Sequence, residues 1–361
     1  MSKKFPHAMS PIRIGNVVLK NRIISAPSTM HSMSNGELYP SEDAMAFFEE
    51  RARAGVGMVT VAGVKVGKDV QDDGAMTAWD VNVPNHRNKM MELVERIHFY
   101  GAKASMELIG IFPEGYTVSD GCSIMGWGEG HEITREAMEE FKNDWVDAAE
   151  KLAECGFDAI LIHSGHSCPL AQFLSPLTNK RTDEFGGSME NRARFPIMVC
   201  DRIKQVCGDD FLIEYRMSGS ERIEGGMTLE DGIEFAKLIQ DHVDLIHVTS
   251  GVYQDHVNTK AFSSMFDKHG CNLDLAEAIK KNVHVPVVAV GGFNGPDQVE
   301  EAIASGKCDF VALGRQQFAD PAFVNKTRDG LEDTIAPCLR CSCFNPLASN
   351  PGERPIPALW H

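Results

Sequence analysis

Eight short apolar runs rich in β-branched residues alternate with longer segments of helical periodicity along the chain. This alternation is typical of repeated βα units, in which helices join the strands of a parallel sheet. The predicted strands are Ile23–Ala26, Gly57–Ala62, Lys103–Leu108, Ala159–His163, Leu212–Arg216, Leu245–Thr249, Pro286–Val290 and Phe310–Leu313. The predicted helices are Ser41–Ala54, Asn85–Tyr100, Arg135–Cys155, Ser188–Val206, Thr228–Asp241, Leu273–Lys281 and Pro296–Ser305.

Eight strand-and-helix pairs close most simply as an α/β fold of the (β/α)8 TIM barrel type. A doubly wound sheet is the alternative, but it usually carries Gly-x-Gly-x-x-Gly after its first strand, and that motif is missing here. A chain of 361 residues suits one barrel with an appendage. We therefore predict a barrel over residues 1–330 and a cysteine-containing tail over residues 331–361, where periodicity is lost from Pro337 onwards.

The composition indicates an ordinary globular chain, with 43% hydrophobic and 24% charged residues. Its formal net charge of −16 argues against nucleic acid or an anionic membrane surface as the main partner. No apolar run approaches the roughly 18 residues of a membrane span, and no apolar stretch follows the lysines near the start. We expect a cytoplasmic protein, and the sequence leaves open whether it forms homo-oligomers.

Polar residues follow several predicted strands, which in a TIM barrel is where binding and catalytic groups lie. One strand-end histidine or arginine is as often structural as catalytic, but a set that converges on one mouth predicts a small-molecule site. The long glycine-rich segment Phe112–Glu132 follows the third strand and is expected to cover this site. The strand-end residues are Pro27 and Thr29, Ala62 and Gly63, Glu107, His163 and His166, and Arg216.

Glycine turns follow the last two predicted strands, where TIM barrels hold a phosphate on backbone N–H groups. Gly291 and Gly292 follow the seventh strand, and Gly314 with Arg315 follows the eighth. Glycine lets the backbone approach an anion closely, and arginine supplies a fixed charge with a forked set of donors. A pair of tight turns beside a surface arginine is the alternative. The layout favours a phosphorylated ligand without identifying it.

Several long motifs occur along the chain: His163-Ser164-Gly165-His166-Ser167-Cys168, Gln172-Phe173-Leu174-Ser175-Pro176, the segment from Asn179 to Ser188, Glu190-Asn191-Arg192-Ala193-Arg194-Phe195, and the terminal motifs Pro11-Ile12-Arg13-Ile14-Gly15, Leu19-Lys20-Asn21-Arg22-Ile23 and Gly314-Arg315 to Asp320-Pro321. Together these motifs closely resemble the Old Yellow Enzyme family of FMN-dependent NADH:flavin oxidoreductases, over about residues 8 to 330.

The resemblance implies an FMN in the barrel mouth, with its phosphate at the glycine turns and Arg315. It places Arg216 beside the flavin N1–O2 region, where positive charge stabilises reduced flavin. It places Thr29 near the flavin O4, with Pro27, Ala62 and Glu107 also at the cofactor. His163 and His166 match the pair that donates hydrogen bonds to a substrate carbonyl, which activates the conjugated carbon for hydride.

Two positions depart from the family pattern. Where the family has a proton-donating tyrosine, this chain has Cys168. A thiol with a pKa near 8.5 is more acidic than a phenol near 10, so Cys168 could donate; alternatively it lines the pocket and solvent supplies the proton. Where the family commonly has glutamine against the flavin, this chain has Glu107. We expect Glu107 to be protonated, or to interact with Arg216 or an amine-bearing ligand.

Cys338, Cys341 and Cys343 resemble the start of a 4Fe–4S site found in the 2,4-dienoyl-CoA reductase, enoate and bile-acid reductase branch. In that branch four cysteines hold the cluster, and FAD and NAD(P)H bind to a further portion. The Cys-x2-Cys-x-Cys spacing is tighter than usual, and a fourth cysteine is missing. Three interpretations stay open: the start of a cluster segment of a longer protein, a zinc or incomplete cluster site with His361 as a ligand, or thiols that bind no metal.

The leading hypothesis is an FMN enzyme that passes hydride to a C=C bond conjugated to a carbonyl, with electrons from NAD(P)H or an electron-donor domain. Oxidation of an amine or N-methyl substrate on the same scaffold is an alternative, which Glu107 favours because a carboxylate pairs with a cation. A phosphate-binding barrel without redox chemistry and a subunit that only relays electrons are further alternatives. The sequence does not identify the substrate.

Overall fold

Eight parallel strands form a closed barrel in the computed structural model, which describes residues 4–28, 40–67, 79–122, 130–254, 257–259, 261 and 263–341. Each strand pairs with its neighbours in chain order, and the last pairs with the first. This closure confirms the predicted TIM barrel and makes the doubly wound alternative wrong. The strands are β1 (Ile23–Ser25), β2 (Met58–Val66), β3 (Lys103–Gly110), β4 (Ala159–Ser164), β5 (Leu212–Ser218), β6 (Leu245–Thr249), β7 (Val287–Val290) and β8 (Phe310–Leu313).

Helices cover the outside of the barrel, and all seven predicted helices lie within two residues of their predicted bounds. Their starts are set by side chains that cap free backbone N–H groups, as Ser41 does for Ala44 and Thr134 for Ala137. The helices are α1 (Glu42–Arg53), α2 (Pro84–Phe99), α3 (Arg135–Glu154), α4 (Pro169–Leu174), α5 (Met189–Cys207), α6 (Leu229–Ile239), α7 (Leu273–Lys280), α8 (Pro296–Ala304), α9 (Gln316–Ala319) and α10 (Phe323–Asp329). None of these helices is both long and apolar enough to cross a membrane.

An N-terminal hairpin closes the lower end of the barrel. Its strands, Ile12–Ile14 and Val17–Leu19, pair antiparallel, and their buried side chains pack against the apolar lower layer of the interior. Met58, Leu212 and Phe310 belong to this layer and are fully buried. Because apolar side chains seal this end, a ligand reaches the interior from the carboxyl ends of the strands.

Two elements after β4 were not predicted as structure: the short helix α4 and the polar segment that follows it. Phe173 of α4 packs on Phe195 of α5 with ring centroids 4.7 Å apart. Burial of such a side chain stabilises the fold by about 1.5 to 3 kcal/mol. Asn179 donates to the carbonyls of Phe173 and Phe185 at 2.6 and 2.8 Å. The polar segment therefore fixes α4 against the outer helices.

Arg181, in the same polar segment, anchors the loop that was predicted to cover the site. It is buried and donates to the carbonyls of Val118 and Ile133 at 3.2 and 3.0 Å. Both acceptors flank a two-residue bridge of the loop, which pairs Tyr116–Thr117 with His131–Glu132. Part of the family motif thus acts as scaffold for the mouth of the barrel. Residues 123–129 of the loop lie outside the described residues, so its role as a cover stays a prediction.

Candidate active site

The turn after β4 brings His163 and His166 together at the mouth of the barrel. Their ring centroids lie 5.2 Å apart at 67°. His166 and Ser167 both have left-handed backbone conformations, with φ of 54° and 66°. Non-glycine residues adopt this conformation at a cost of about 1 to 3 kcal/mol, and such strain is concentrated at functional sites. The strain here is balanced by α4, which begins directly after Cys168 and is buried along its whole length.

The two histidines differ in what holds them. His166 Nε2 lies 3.0 Å from Thr249 Oγ1, and its ring also hydrogen-bonds the backbone of Ser250. No hydrogen bond joins the His163 ring to any other described residue, and its buried Nδ1 has no partner. A buried polar atom without a partner is costly unless a ligand or water satisfies it. His163 is therefore the member of the pair with hydrogen-bonding capacity left for a ligand.

Both histidines are neutral at physiological pH. Burial lowers the pKa of His166 to about 3 and that of His163 well below its usual value, and the charge of Arg216 lowers both further. A neutral imidazole still carries one N–H and can donate a single hydrogen bond. The pair can therefore polarise a carbonyl as neutral donors without itself becoming charged.

Arg216 of β5 and Glu107 of β3, the strands on either side of β4, form a largely buried pair. The Arg216 guanidinium lies 3.6 Å from Glu107 Oε1, while its buried Nε has no partner among the described residues. Burial raises the pKa of Glu107 to about 7, and the arginine acts against this rise. The prediction that Glu107 is protonated or interacts with Arg216 is consistent with both observations. The unsatisfied Nε is a donor that a ligand oxygen at the mouth can accept from.

A second buried carboxyl lies in the barrel interior on the same strand as Arg216. Ser105 Oγ donates to Glu214 Oε1 at 2.5 Å, and Glu214 Oε2 has no partner among the described residues. Burial, followed by the charge of Glu107, raises the pKa of Glu214 to about 8. His247, which pairs with Arg216 across β5 and β6, has both ring nitrogens buried without a partner among the described residues. Buried polar atoms of this kind are normally satisfied by internal water.

The raised pKa of Glu214 makes the stability of the protein depend on pH. A carboxyl whose pKa rises from 4.5 to about 8 on folding contributes its stability below pH 4.5 and loses it as the pH rises towards 8. Glu214→Gln should therefore lose less unfolding free energy than the wild type between pH 6 and 8.5, by about 1 to 3 kcal/mol. Urea unfolding across this range measures the difference. The exposed Glu224→Gln serves as the control, and equal slopes for wild type and Glu214→Gln would contradict the assignment.

Cys168 lies in the site, but its acidity differs from the expectation. The side chain is buried and close enough to Glu107 and Arg216 for their charges to act on it. Burial raises the pKa of its thiol to about 12. The expectation that this thiol is more acidic than a phenol is therefore wrong, because the apolar surroundings disfavour the thiolate. Cys168 keeps its proton and is a weak donor.

The glycine turns after β7 and β8 form a cradle at the mouth. Gly291 and Gly292 have φ of 133° and 71°, which a residue with a side chain rarely adopts. A Cβ on Gly291 would lie 2.9 Å from Asn272 Nδ2, whereas a Cβ on Gly314 would meet nothing closer than 3.9 Å. Arg315 donates to the carbonyl and hydroxyl oxygens of Ser263 at 2.5 and 2.7 Å. This cradle suits a phosphate group, and the unsatisfied Arg216 Nε suits the ring system of a flavin.

The other predicted cofactor residues are placed as follows. Ala62 and Gly63 lie at an irregularity of β2, where the register with β3 shifts between Val61 and Val64. Such bulges re-aim the chain and are frequent beside active sites. Pro27 follows β1 and is partly exposed. Thr29 lies outside the described residues, so its contact with a cofactor stays a prediction.

The cysteine tail is described as far as Cys341. Cys338 and Cys341 carry no disulfide, and no group of three or more histidine, cysteine or acidic side chains suited to a metal occurs within the described ranges. Cys343 and His361 lie outside these ranges. The predictions of a 4Fe–4S cluster or a zinc site, which need Cys343 or His361 as further ligands, therefore stay predictions.

Several side chains of the site were not predicted from the sequence: Glu214, His247, Ser263, Asn272 and Arg340. Glu214 had a usable signal, because it stands two residues before Arg216 on one strand and so shares its inward face. Asn272 accepts from Ser250 Oγ at 2.8 Å and donates to the carbonyl of Val290 at 2.9 Å, which supports the turn after β7. Such a residue could not be predicted, because its role depends on hydrogen bonds between loops and not on a repeating sequence pattern.

Comparison with known proteins gives a family match over most of the chain. The model of the NADH:flavin oxidoreductase / NADH oxidase family matches residues 8–334. An NADH oxidase of Thermoanaerobacter brockii is 36% identical to this chain, over 94% of this chain and 53% of that protein. A cinnamate reductase of Clostridium sporogenes is 30% identical over 94% of this chain and 55% of that protein. The chain thus spans about half the length of these two relatives.

A solved structure gives the same architecture. The 6-hydroxypseudooxynicotine amine oxidase of Pseudomonas geniculata superposes with a TM-score of 0.85 and 26% identity, over 95% of this chain and 52% of that one. Both a reductase and an amine oxidase are therefore among the similar proteins.

Proposed function

The chain belongs to the NADH:flavin oxidoreductase / NADH oxidase family, and from this premise we propose that it is an FMN-dependent enzyme that reduces a C=C bond conjugated to a carbonyl. Electrons come from NAD(P)H. The substrate gains a hydride at the β-carbon and a proton at the α-carbon, while NAD(P)H is oxidised to NAD(P)+. We further propose that the barrel occupies residues 1–330 and that residues 331–361 form the cysteine-containing tail.

The observation that carries the proposal is the unsatisfied His163 ring beside the Arg216–Glu107 pair, at a mouth that also holds a phosphate cradle. FMN, when bound, supplies the hydride exchange between NAD(P)H and the substrate. Arg216 would hold the pyrimidine side of the ring system, and Gly291, Gly292, Gly314 and Arg315 would hold the phosphate. The neutral His163 would donate to the substrate carbonyl, with His166 fixed behind it by Thr249.

Hydrogen bonds from fixed neutral donors are effective here because the site is buried. Donation by His163 stabilises the negative charge that develops on the carbonyl oxygen as hydride arrives, and no proton has to be moved from the histidine. The orientation of His166 is set by a strained turn and by Thr249, so this ring needs no rearrangement when the substrate binds. Preorganisation of this kind is commonly the largest single contribution to catalysis.

A carboxylate that faces a cationic substrate would favour amine oxidation, and Glu107 is the candidate. This side chain already pairs with Arg216, and burial raises its pKa to about 7, so much of it is protonated at neutral pH. Reduction of an enone therefore suits the site better than amine oxidation. For the tail we propose that Cys338, Cys341 and Cys343 contribute to a 4Fe–4S cluster that receives electrons from an FAD- and NAD(P)H-binding portion in a longer protein.

An anaerobic spectrum with single-turnover oxidation tests the proposed function. Protein expressed from the full-length gene should show flavin absorption, which NADH or NADPH bleaches and a conjugated enone restores. Tertiary amines should fail to bleach it. A colourless protein that does not take up FMN would overturn the proposal in favour of a phosphate-binding barrel without redox chemistry. Bleaching by NAD(P)H with no reoxidation by any enone would instead indicate a subunit that relays electrons.

Replacement of Cys168 tests the source of the proton. Because burial raises the pKa of its thiol to about 12, we expect solvent to supply the proton and Cys168→Ala to change the rate of enone reduction by less than about threefold. Stopped-flow reoxidation of the reduced enzyme measures this rate. Cys168→Ser is the matched control, because it keeps the shape of the side chain. A loss of about 100-fold in Cys168→Ala that Cys168→Ser recovers would show that the side chain is the donor.

A further inference from the structure

The cysteine tail is docked on the loops that follow β7 and β8. Gln316 donates to the carbonyl of Ala336 at 2.9 Å and accepts from the backbone N–H of Cys338 at 2.8 Å. Asn294 donates to the carbonyl of Cys338 at 3.2 Å. Hydrogen bonds to backbone groups fix the course of a segment whatever its side chains are. Residues 336–340 are therefore held in place against the two strand ends that carry the phosphate cradle.

Arg340 is the tail residue that reaches the cradle. It has a left-handed backbone, with φ of 56°, and its N–H points to Cys338 Sγ at 3.4 Å. Its Nη1 lies 3.0 Å from the position that a Cβ on Gly292 would take. A side chain at position 292 would therefore press on this guanidinium. Strained backbone is retained where the surrounding structure over-determines it, most often at binding sites.

Arg340 is a buried cation. Only 7% of the residue is exposed, and its guanidinium donates to the carbonyl of Lys268 at 3.2 Å. No carboxylate of the described part of the chain forms an ion pair with it. A guanidinium cannot lose its proton at physiological pH, and a buried charge is normally compensated by an opposite one. A buried guanidinium with no ion pair among the described residues points to an anionic ligand.

A second guanidinium lies close by. Arg315 contacts Ser263 at 2.7 Å, and Ser263 Oγ lies 3.3 Å from the same Cβ position on Gly292 that Arg340 approaches. Arg315 likewise forms no ion pair with a carboxylate among the described residues. Two fixed guanidiniums beside a glycine turn form a site for a doubly charged group such as a phosphate monoester.

We propose that Arg340 is a ligand of the FMN phosphate, contributed by the cysteine tail and acting together with Arg315. The inference rests on the proposed function, since it requires that the barrel binds FMN. It adds that the segment carrying Cys338 and Cys341 takes part in holding the cofactor. Loss of Arg340 is then expected to weaken recognition of the phosphate group while leaving recognition of the isoalloxazine ring intact.

Binding of FMN and of riboflavin to the apoprotein tests this, because the two ligands differ only in the phosphate. The apoprotein of the whole chain is titrated with each ligand, and flavin fluorescence is followed. Arg340→Met should weaken FMN binding by about 10- to 100-fold and riboflavin binding by less than about threefold. Arg340→Lys, which keeps the charge without the fork, should fall between these values. The exposed Arg202→Met is the matched control and should change neither affinity.

The outcomes separate this inference from the proposed function. If the wild-type chain binds neither ligand, the proposed function fails. If it binds FMN but Arg340→Met retains wild-type affinity, or loses FMN and riboflavin affinity by equal factors, the role of Arg340 at the phosphate is wrong. If Arg340→Met does not fold, the affinities of Arg340→Lys for FMN and riboflavin test the role of Arg340 instead. A selective loss of FMN affinity in that variant supports the inference, and equal affinities for wild type and variant overturn it.

Discussion

Replacing Arg216 by methionine should slow reduction of the flavin by NAD(P)H by about 30- to 1,000-fold, the equivalent of about 2 to 4 kcal/mol for the loss of a buried charged donor. Arg216 is the cation beside Glu107, and its buried Nε has no partner among the described residues. Methionine occupies a similar volume but removes the charge that would stabilise a reduced, anionic flavin. The measurement is anaerobic stopped-flow bleaching of the flavin, together with the reduction potential of the bound cofactor.

The same substitution removes the group that lowers the pKa of Glu107, so this pKa should rise above its value of about 7. Glu107 would then stay protonated, and so uncharged, up to a higher pH in the absence of Arg216. The double variant Arg216→Met, Glu107→Gln should therefore be more stable than Arg216→Met alone at every pH above about 4.5, and its advantage should be larger at pH 8.5 than at pH 6. Arg202→Met on the outer face of α5 is the control for loss of an arginine. Wild-type reduction rates in Arg216→Met would contradict the placement of Arg216 at the flavin.

Periodicity is enough to predict the barrel because each βα unit repeats the same local pattern. Strands β5 and β6 begin where predicted, and helix α3 begins at the predicted residue, Arg135. Patterns of period two and 3.6 report which faces are buried, and in a TIM barrel the connection order then follows from chain order. The hairpin that closes the lower end was missed, because its strands of three residues are too short to show a period.

Strand ends predict the site for a geometric reason. The carboxyl ends of all eight parallel strands of a barrel converge on one mouth, so Glu107 and Arg216 could be predicted to lie in the same site, where they are 3.6 Å apart. Burial could not be predicted in the same way. The pKa of the Cys168 thiol is raised to about 12 by groups that pack around it from other elements. Arg340 follows from no pattern, because its position depends on how the tail docks on Gln316 and Asn294.

Removal of His163 should have the largest effect on the step that oxidises the flavin. His163→Ala should slow reoxidation of the reduced enzyme by an enone by about 10²- to 10⁴-fold, because it removes the imidazole whose buried Nδ1 has no partner among the described residues and which we propose as the donor to the carbonyl. Reduction of the flavin by NAD(P)H should change by less than about tenfold, since that half-reaction develops no charge on a carbonyl oxygen. Stopped-flow measurement of the two half-reactions separates the effects.

His166→Ala is the informative comparison, because the second histidine is held by Thr249 and Ser250. Its loss should lower the thermal stability of the turn after β4 more than loss of His163 does, and should reduce the oxidative rate less. The pKa values of both rings are lowered by burial, so neither rate should show a histidine titration between pH 5 and 8. Equal losses in both half-reactions of His163→Ala would mean that the ring positions the cofactor instead of the substrate. If His163→Ala is reoxidised by an enone at the wild-type rate, the substrate carbonyl binds elsewhere in the mouth. Only Arg216 and the family match would then support reduction of an enone.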